Sequence, residues 1–187
     1  MTRMKTLSAA AVALLTLAAC SSGSETADNE FFHVNDLDGM STTQVIDHLD
    51  QLPLDQRPED YMASVQADEV VFSDGSSEYA LDIPDDEFYI SIAPYASQTH
   101  ECYYHSLTTC QGELNQETFQ VNVTDDSGHV VLNEERVSYE NGFIGLWLPR
   151  GISGTITIED DDGQVGSTPF STDDDGATCI TTLQLAA

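Results

Sequence analysis

Hydrophobic residues along this chain repeat with two different periods. Near the N-terminus the spacing is helical. Val45, Ile46, Leu49 and Leu52 follow Ser41-Thr42-Thr43-Gln44, a capping-box sequence, and Pro53 ends the run. A second short helix is expected near Pro58 to Val65. Proline sits in its first turn, Glu59 and Asp60 face its positive end, and Tyr61, Met62 and Val65 form its apolar stripe. From Glu69 the period changes to two. Val70-Val71-Phe72, then Tyr79, Leu81 and Ile83, then Phe88, Ile90 and Ile92 alternate with other residues. Further on, Phe119, Val121 and Val123, the run Val130 to Tyr139, Phe143 to Leu148, and Ile152, Ile156 and Ile158 read as strands, and Phe170 and Cys179 to Leu185 close the series. Turns such as Ser73-Asp74-Gly75-Ser76, Asp125-Asp126-Ser127-Gly128 and Glu140-Asn141-Gly142 separate them. Short strands with a turn about every 8–12 residues predict an antiparallel β-sandwich or barrel, here preceded by a short helical hairpin. The expected organisation is a small helical region over residues 36–67 and a β domain over residues 68–187. Two short helices bury little alone, so the hairpin packs on the rest or on a second copy, a homodimer.

Before residue 36 the pattern is that of export. Arg3 and Lys5 precede an apolar run from Leu7 to Leu17 that is too short to span a bilayer. Leu17-Ala18-Ala19-Cys20 then resembles a bacterial lipobox, which predicts a signal peptide over residues 1–19 and lipidation of Cys20. Two acyl chains are about what stable anchoring takes. The small polar stretch Ser21 to Asn29 extends this into a flexible tether over residues 20–35. The expected location is the outer face of the cell membrane or the periplasm, with contact to membrane only through the lipid.

Charge narrows the partners. The chain has 33 Asp and Glu against 5 Lys and Arg, a formal charge of −28, and removing residues 1–19 takes it to −30. Such a surface repels phosphate backbones and excludes nucleic acid. It also excludes docking on anionic lipid through a basic face. No G-x-S-x-G, phosphate-cradling glycine loop or EF-hand spacing occurs.

With Cys20 assigned to lipid, three of the four cysteines remain, an odd number for an exported chain. Two lie in the long interruption between strands, Ala96 to Leu114. It contains His100-Glu101-Cys102-Tyr103-Tyr104-His105-Ser106 and then Cys110. A connection of this length in a compact β domain is usually functional. Thiolate selects Cu(I), Zn²⁺ or iron–sulfur, and imidazole suits copper and zinc. With Cys179 as third sulfur, Cys102, Cys110, Cys179, His100 and His105 are the candidate metal ligands. They suit a trigonal Cu(I) site or a tetrahedral Zn²⁺ site. The competing expectation is a Cys102–Cys110 disulfide with Cys179 buried and inert. The spacing Cys-x7-Cys is neither a zinc-ribbon knuckle nor a redox Cys-x-x-Cys.

Three stretches carry a family resemblance. They are His100-Glu101-Cys102-x-Tyr104-His105-Ser106 through Cys110-x-Gly112-Glu113-Leu114, Trp147-Leu148-Pro149-Arg150 with Gly154-Thr155-Ile156, and Phe170-Ser171-Thr172 with Thr178-Cys179-Ile180-Thr181-Thr182-Leu183-Gln184-Leu185. Together they resemble the CueP family of exported bacterial copper-resistance proteins, from about residue 37 to 185. The resemblance implies copper, as Cu(I) or Cu(II), as the metal, with Cys102, Cys110 and Cys179 binding it and exchanging electrons with it. It also implies copper tolerance in the envelope and copper supply to exported copper enzymes. The lipobox is a departure from the family's soluble periplasmic destination. Thiol-dependent Cu(II) reduction is the one reaction this reading contains. Two other classes compete: a lipid-anchored, disulfide-containing interaction module without metal, and a thiol–disulfide oxidoreductase.

Overall fold

The computed structural model describes residues 30–186. The signal peptide, Cys20 and most of the expected tether lie outside them. The chain divides into two compact units, one ending at Asp38 and one beginning at Gly39. In the first, residues 30–34 are helical and the Asn35 side-chain amide donates to the Phe31 carbonyl at 2.8 Å. Everything below concerns the second.

Its helix, α1 (Thr42–Asp50), starts with the capping box that the sequence predicts. The Ser41 hydroxyl accepts the Gln44 N–H at 3.3 Å, and the Gln44 side chain accepts the Ser41 N–H at 2.9 Å. The helix buries Val45, Ile46, Leu49 and Asp50. A carboxylate on that apolar face needs partners, and they turn out to define the site.

The second expected helix, near Pro58 to Val65, does not form. Leu54–Gln56 is a single 3₁₀ turn, and Met62–Val65 is strand β1. Tyr61, Ala63 and Val65 are buried while Met62 is exposed, so the true period there is two. The helical stripe arose because Tyr61 and Val65 satisfy both periods, and pairing with the next strand decides between them. Between residues 39 and 67 the helical part is therefore one helix and one turn.

Ten further strands follow: β2 (Glu69–Ser73), β3 (Glu78–Asp82), β4 (Glu87–Ile92), β5 (His105–Ser106), β6 (Thr118–Asp125), β7 (Val130–Val137), β8 (Ile144–Pro149), β9 (Ser153–Asp160), β10 (Val165–Ser171) and β11 (Cys179–Ile180). They form three open sheets ordered β3-β2-β1-β5, β10-β9-β6-β7 and β11-β4-β8, none closed into a barrel among the described residues. Phe119, Val121 and Val123 of β6 and Ile156 and Ile158 of β9 meet Phe88, Ile90 and Ile92 of β4 and Leu146 and Leu148 of β8 in one core. This is sandwich packing, with alternate side chains of two sheets interleaved. The outer strand β7 carries Glu134, Glu135 and Arg136, charges of the kind that discourage pairing at a sheet edge.

Strand β4 is buried on both faces. Phe88, Ile90 and Ile92 point into the sandwich, so Tyr89, Ser91 and Ala93 point the other way. Pairing between β4 and β11 is parallel, unlike the antiparallel pairs around it, with Cys179 opposite Ser91 and Ile180 opposite Ile92. Paired residues share a face, so Ile180 joins the core and Cys179 shares the Ser91 side.

Candidate metal centre

The interruption between β4 and β6 is held closed at its ends. The Glu113 carboxylate accepts the N–H groups of Ala96, Ser97 and Gln98 and the Ser97 hydroxyl. The Ser97 hydroxyl bond and these backbone donors hold the Glu113 carboxyl down at about 2. Inside the loop, β5 pairs with β1, setting His105 opposite Val65 and Ser106 opposite Ser64. This two-residue strand has no periodic signal of its own, and only its pairing reveals it. The Tyr103 carbonyl accepts the N–H groups of Thr178 and Cys179, both at 3.0 Å, which docks the loop against β11. Ser106 then closes a tight turn. Its hydroxyl accepts the Thr109 N–H at 3.2 Å and its carbonyl accepts the Cys110 N–H at 3.2 Å, bringing Cys110 back toward Cys102.

All three sulfurs meet. Cys102 and Cys179 form a disulfide with Cα atoms 5.6 Å apart, and Cys110 is the free, half-buried thiol. The Cys110 sulfur lies 3.6 Å from that of Cys102 and accepts the Ser106 N–H at 3.4 Å. The competing Cys102–Cys110 pairing is therefore not the one observed, and Cys179 is not a bystander. The reason is topological, since the parallel β4–β11 register places Cys179 on the loop side. The bridge closes a 77-residue separation, which on chain-entropy grounds is worth about 4 kcal/mol.

The two histidines converge on the same sulfurs. Ligand atoms of His100, Cys102 and Cys110 lie within 4.8 Å of one another, and so do those of His105, Cys110 and Cys179. All five residues singled out from the sequence are thus brought together, and Cys110 belongs to both sets. His100 is exposed, whereas His105 is completely buried. Both imidazoles pack against the buried Phe143 ring, at 6.3 and 4.5 Å between centroids. Phe143 follows the Asn141-Gly142 turn. Gly142 has φ of +79°, and a Cβ on it would lie 2.8 Å from the Gly112 backbone, so only glycine fits there.

Sequence reasoning missed the residues behind His105. The His105 Nε2 lies 2.8 Å from the Asp50 carboxylate at the end of α1. That carboxylate also accepts from Tyr89 at 2.7 Å, Ser91 at 3.0 Å and the Asn141 amide at 2.8 Å. Arg57 donates to the Cys110 carbonyl at 2.8 Å and comes to 4.0 Å of Asp50. Two signals were available in the sequence. Asp50 falls four residues after Ile46, on the apolar face of α1, and Tyr89 and Ser91 interrupt an apolar strand with hydroxyls facing one way.

The electrostatics follow from this packing. Burial opposes charge on Asp50, but the His105 imidazole and the hydrogen bonds from His105, Tyr89 and Ser91 outweigh it and hold the carboxyl below its ordinary range. Burial likewise opposes protonation of His105, yet the Asp50 charge and hydrogen bond, helped by Cys110, push it up to about 9. Burial would raise the Cys110 thiol, but His105, the Ser106 N–H and Arg57 bring it below the ordinary thiol value. The His105 imidazole acts on the Cys110 thiol both by hydrogen bonding and by its charge, and its buried Nδ1 has no nitrogen or oxygen partner.

Two surface openings border the disulfide residues. A groove of about 750 Å³ is lined by Cys102 and Cys179 beside Tyr103, Phe170, Ala177 and Ile180. A cleft of about 570 Å³ is lined by Thr99, His100, Glu101, Cys102 and Thr181.

Three sulfurs and two imidazoles on an open β-sandwich make a candidate soft-metal centre, with donors suited to copper or zinc. Comparisons with known proteins agree. Residues 44–184 match the family described as periplasmic copper-binding protein CueP. A crystal structure described as S.CueP superposes with a TM-score of 0.81 at 41% sequence identity, covering 90% of this chain and 100% of that one. No curated protein matches. The chain belongs to the CueP family of periplasmic copper-binding proteins. No helix among the described residues is long and apolar enough to cross a membrane.

Proposed function

We propose that this protein binds Cu(I) through Cys102, Cys110 and Cys179 in the thiolate form, with His100 and His105 as imidazole donors, and that its thiols reduce Cu(II). The observation that carries this is the convergence of all five donor atoms in two sets of 4.8 Å. Two thiols deliver two electrons to two Cu(II) ions, giving two Cu(I), one disulfide and two protons. A Cys102–Cys179 disulfide beside a Cys110 thiol is what that reaction would leave, and this pairing supports the reading. Imidazole accepts the harder Cu(II) first, and sulfur retains the softer Cu(I). In this reading, lipidation at Cys20 displays the protein on the membrane surface, where it hands copper to exported enzymes. Zinc fits the same donors only as a redox-inert occupant.

The test is anaerobic addition of Cu(II) to the fully reduced protein, with Cu(I) and thiols counted together. About two Cu(I) should appear as two thiols vanish. Cu(I) formation at the same yield in the Cys102→Ser, Cys110→Ser, Cys179→Ser triple variant contradicts the proposal. A second reading, thiol–disulfide exchange with another protein, draws on the Asp50–His105 pair beside Cys110. Exchange with a dithiol protein that proceeds equally with and without copper favours that reading.

A further inference from the structure

The three sulfurs meet as one group, but the two imidazoles join it in two overlapping sets, and this has consequences if they hold copper as proposed above. We propose that they are an outer and an inner site sharing one sulfur, and that Cu(I) passes from the first to the second around Cys110. The outer set is His100, Cys102 and Cys110, and the inner set is His105, Cys110 and Cys179.

Four observations carry this. The sets differ in access: His100 is exposed and lines an open cleft with Cys102, while His105 and Cys179 are buried. The His105 ring is already oriented, because Asp50 engages its Nε2. That leaves Nδ1 as the donor nitrogen, a fully buried polar atom with no nitrogen or oxygen partner, turned to the Cys110 thiol. A carboxylate behind a ligating imidazole is the usual device for fixing its orientation and tautomer. Third, both imidazoles contact the single Phe143 ring, and Cys110 approaches Cys102 to 3.6 Å, so a metal bound to the shared sulfur has little distance to cover. Last, the observed disulfide joins one sulfur of each set. Oxidation therefore removes a donor from both sites at once, and reduction restores both.

The chemistry balances. An external dithiol reduces the Cys102–Cys179 bridge with two electrons and leaves as its own disulfide, giving three protein thiols. Cu(I) enters the outer set as the Cys102 and Cys110 thiols release their protons. On transfer, Cys179 and His105 Nδ1 replace Cys102 and His100 as ligands. The proton given up by Cys179 is balanced by the one Cys102 takes back, the His105 imidazolium releases its Nδ1 proton to water as Nδ1 binds, and no electron moves. Because Cys110 is common to both, one ion at a time completes a three-donor site.

Single-sulfur variants separate the sites without touching the histidines. In ¹⁵N-histidine-labelled, fully reduced Cys179→Ser protein, Cu(I) supplied from a weak chelator should perturb His100 and leave His105 Nδ1 unchanged. In Cys102→Ser protein it should perturb His105 Nδ1 and leave His100 unchanged. In reduced wild-type protein at equilibrium, His105 should carry the perturbation. In stopped-flow loading, His100→Ala should slow uptake at least tenfold while changing final affinity less than threefold. The same imidazole response in both single-sulfur variants, or a His100→Ala loss of affinity with unchanged uptake, overturns the two-site arrangement. Neither result touches thiolate binding itself, which fails only if the triple Cys→Ser variant retains copper. Wild-type spectra keep the test decisive if a variant misfolds, since a wild-type Cu(I) complex perturbing His100 alone also overturns it.

Discussion

Raising the pH from 6 to 10 should weaken the folded protein through one buried pair. The His105 imidazole sits against Asp50 at 2.8 Å with both side chains fully buried, and its pKa is pushed from 6.5 to about 9. A pKa raised by folding means the folded state binds more protons between those values. The stabilisation is thus complete below pH 6.5 and is lost as pH rises through about 9. At about 1.4 kcal/mol per pKa unit, this upward shift corresponds to roughly 3 kcal/mol, a large part of a small domain's stability. The depressed Cys110 thiol acts with the opposite sign, gaining stability as pH rises, and it also helps raise His105, so a Cys110→Ser background isolates the Asp50 part of the effect, which is smaller than the full shift. Ordinary carboxylates finish titrating well below this window. The assay is urea unfolding of the metal-free, disulfide-intact protein across the range, with His105 followed by NMR. Stability should fall by a few kcal/mol between pH 6.5 and 10, and Asp50→Asn should abolish the slope while costing roughly 3–5 kcal/mol at pH 6. A flat profile, with His105 titrating at its ordinary value, refutes the reasoning.

Three further outcomes follow from the packing. Native protein lacking residues 1–20 should show one reactive thiol, Cys110, rising to three after reduction; three before reduction contradicts the observed pairing. Gly142→Ala places a Cβ 2.8 Å from backbone atoms of Gly112 in a left-handed conformation. It should lower stability by at least about 2 kcal/mol and broaden the Phe143 and His105 signals, and a neutral effect by calorimetry argues against this geometry. Phe119→Ala, in the sandwich core, should cost about 3–5 kcal/mol by urea unfolding while leaving the thiol count unchanged.

The strands were legible because their period and punctuation agree. Alternation in Phe88-Tyr89-Ile90-Ser91-Ile92 even marks a strand with two different faces, and the structure assigns one to the core and one to Asp50. Tyr61 to Val65 misled because a stripe of so few residues fits both periods, and only pairing with β2 chooses. His105–Ser106 pairs as a strand for a reason no local pattern records, namely the vacant edge of β1. The candidate ligands were visible as rare residue types crowded into one loop. Their pairing was not, because it depends on β11 running parallel to β4, a contact between residues nearly ninety apart. Asp50 was hidden for another reason. A lone carboxylate among 33 acidic residues carries no signal until its burial is known.

The central claim is that sulfur from these three cysteines holds the metal. It is tested most directly by titrating the fully reduced protein with Cu(I) against a Cu(I)-specific chelator, beside the Cys102→Ser, Cys110→Ser, Cys179→Ser triple variant, with circular dichroism confirming its β fold. The account predicts that the wild-type protein takes Cu(I) from the chelator and the triple variant takes none. Equal stoichiometry in the two proteins contradicts it.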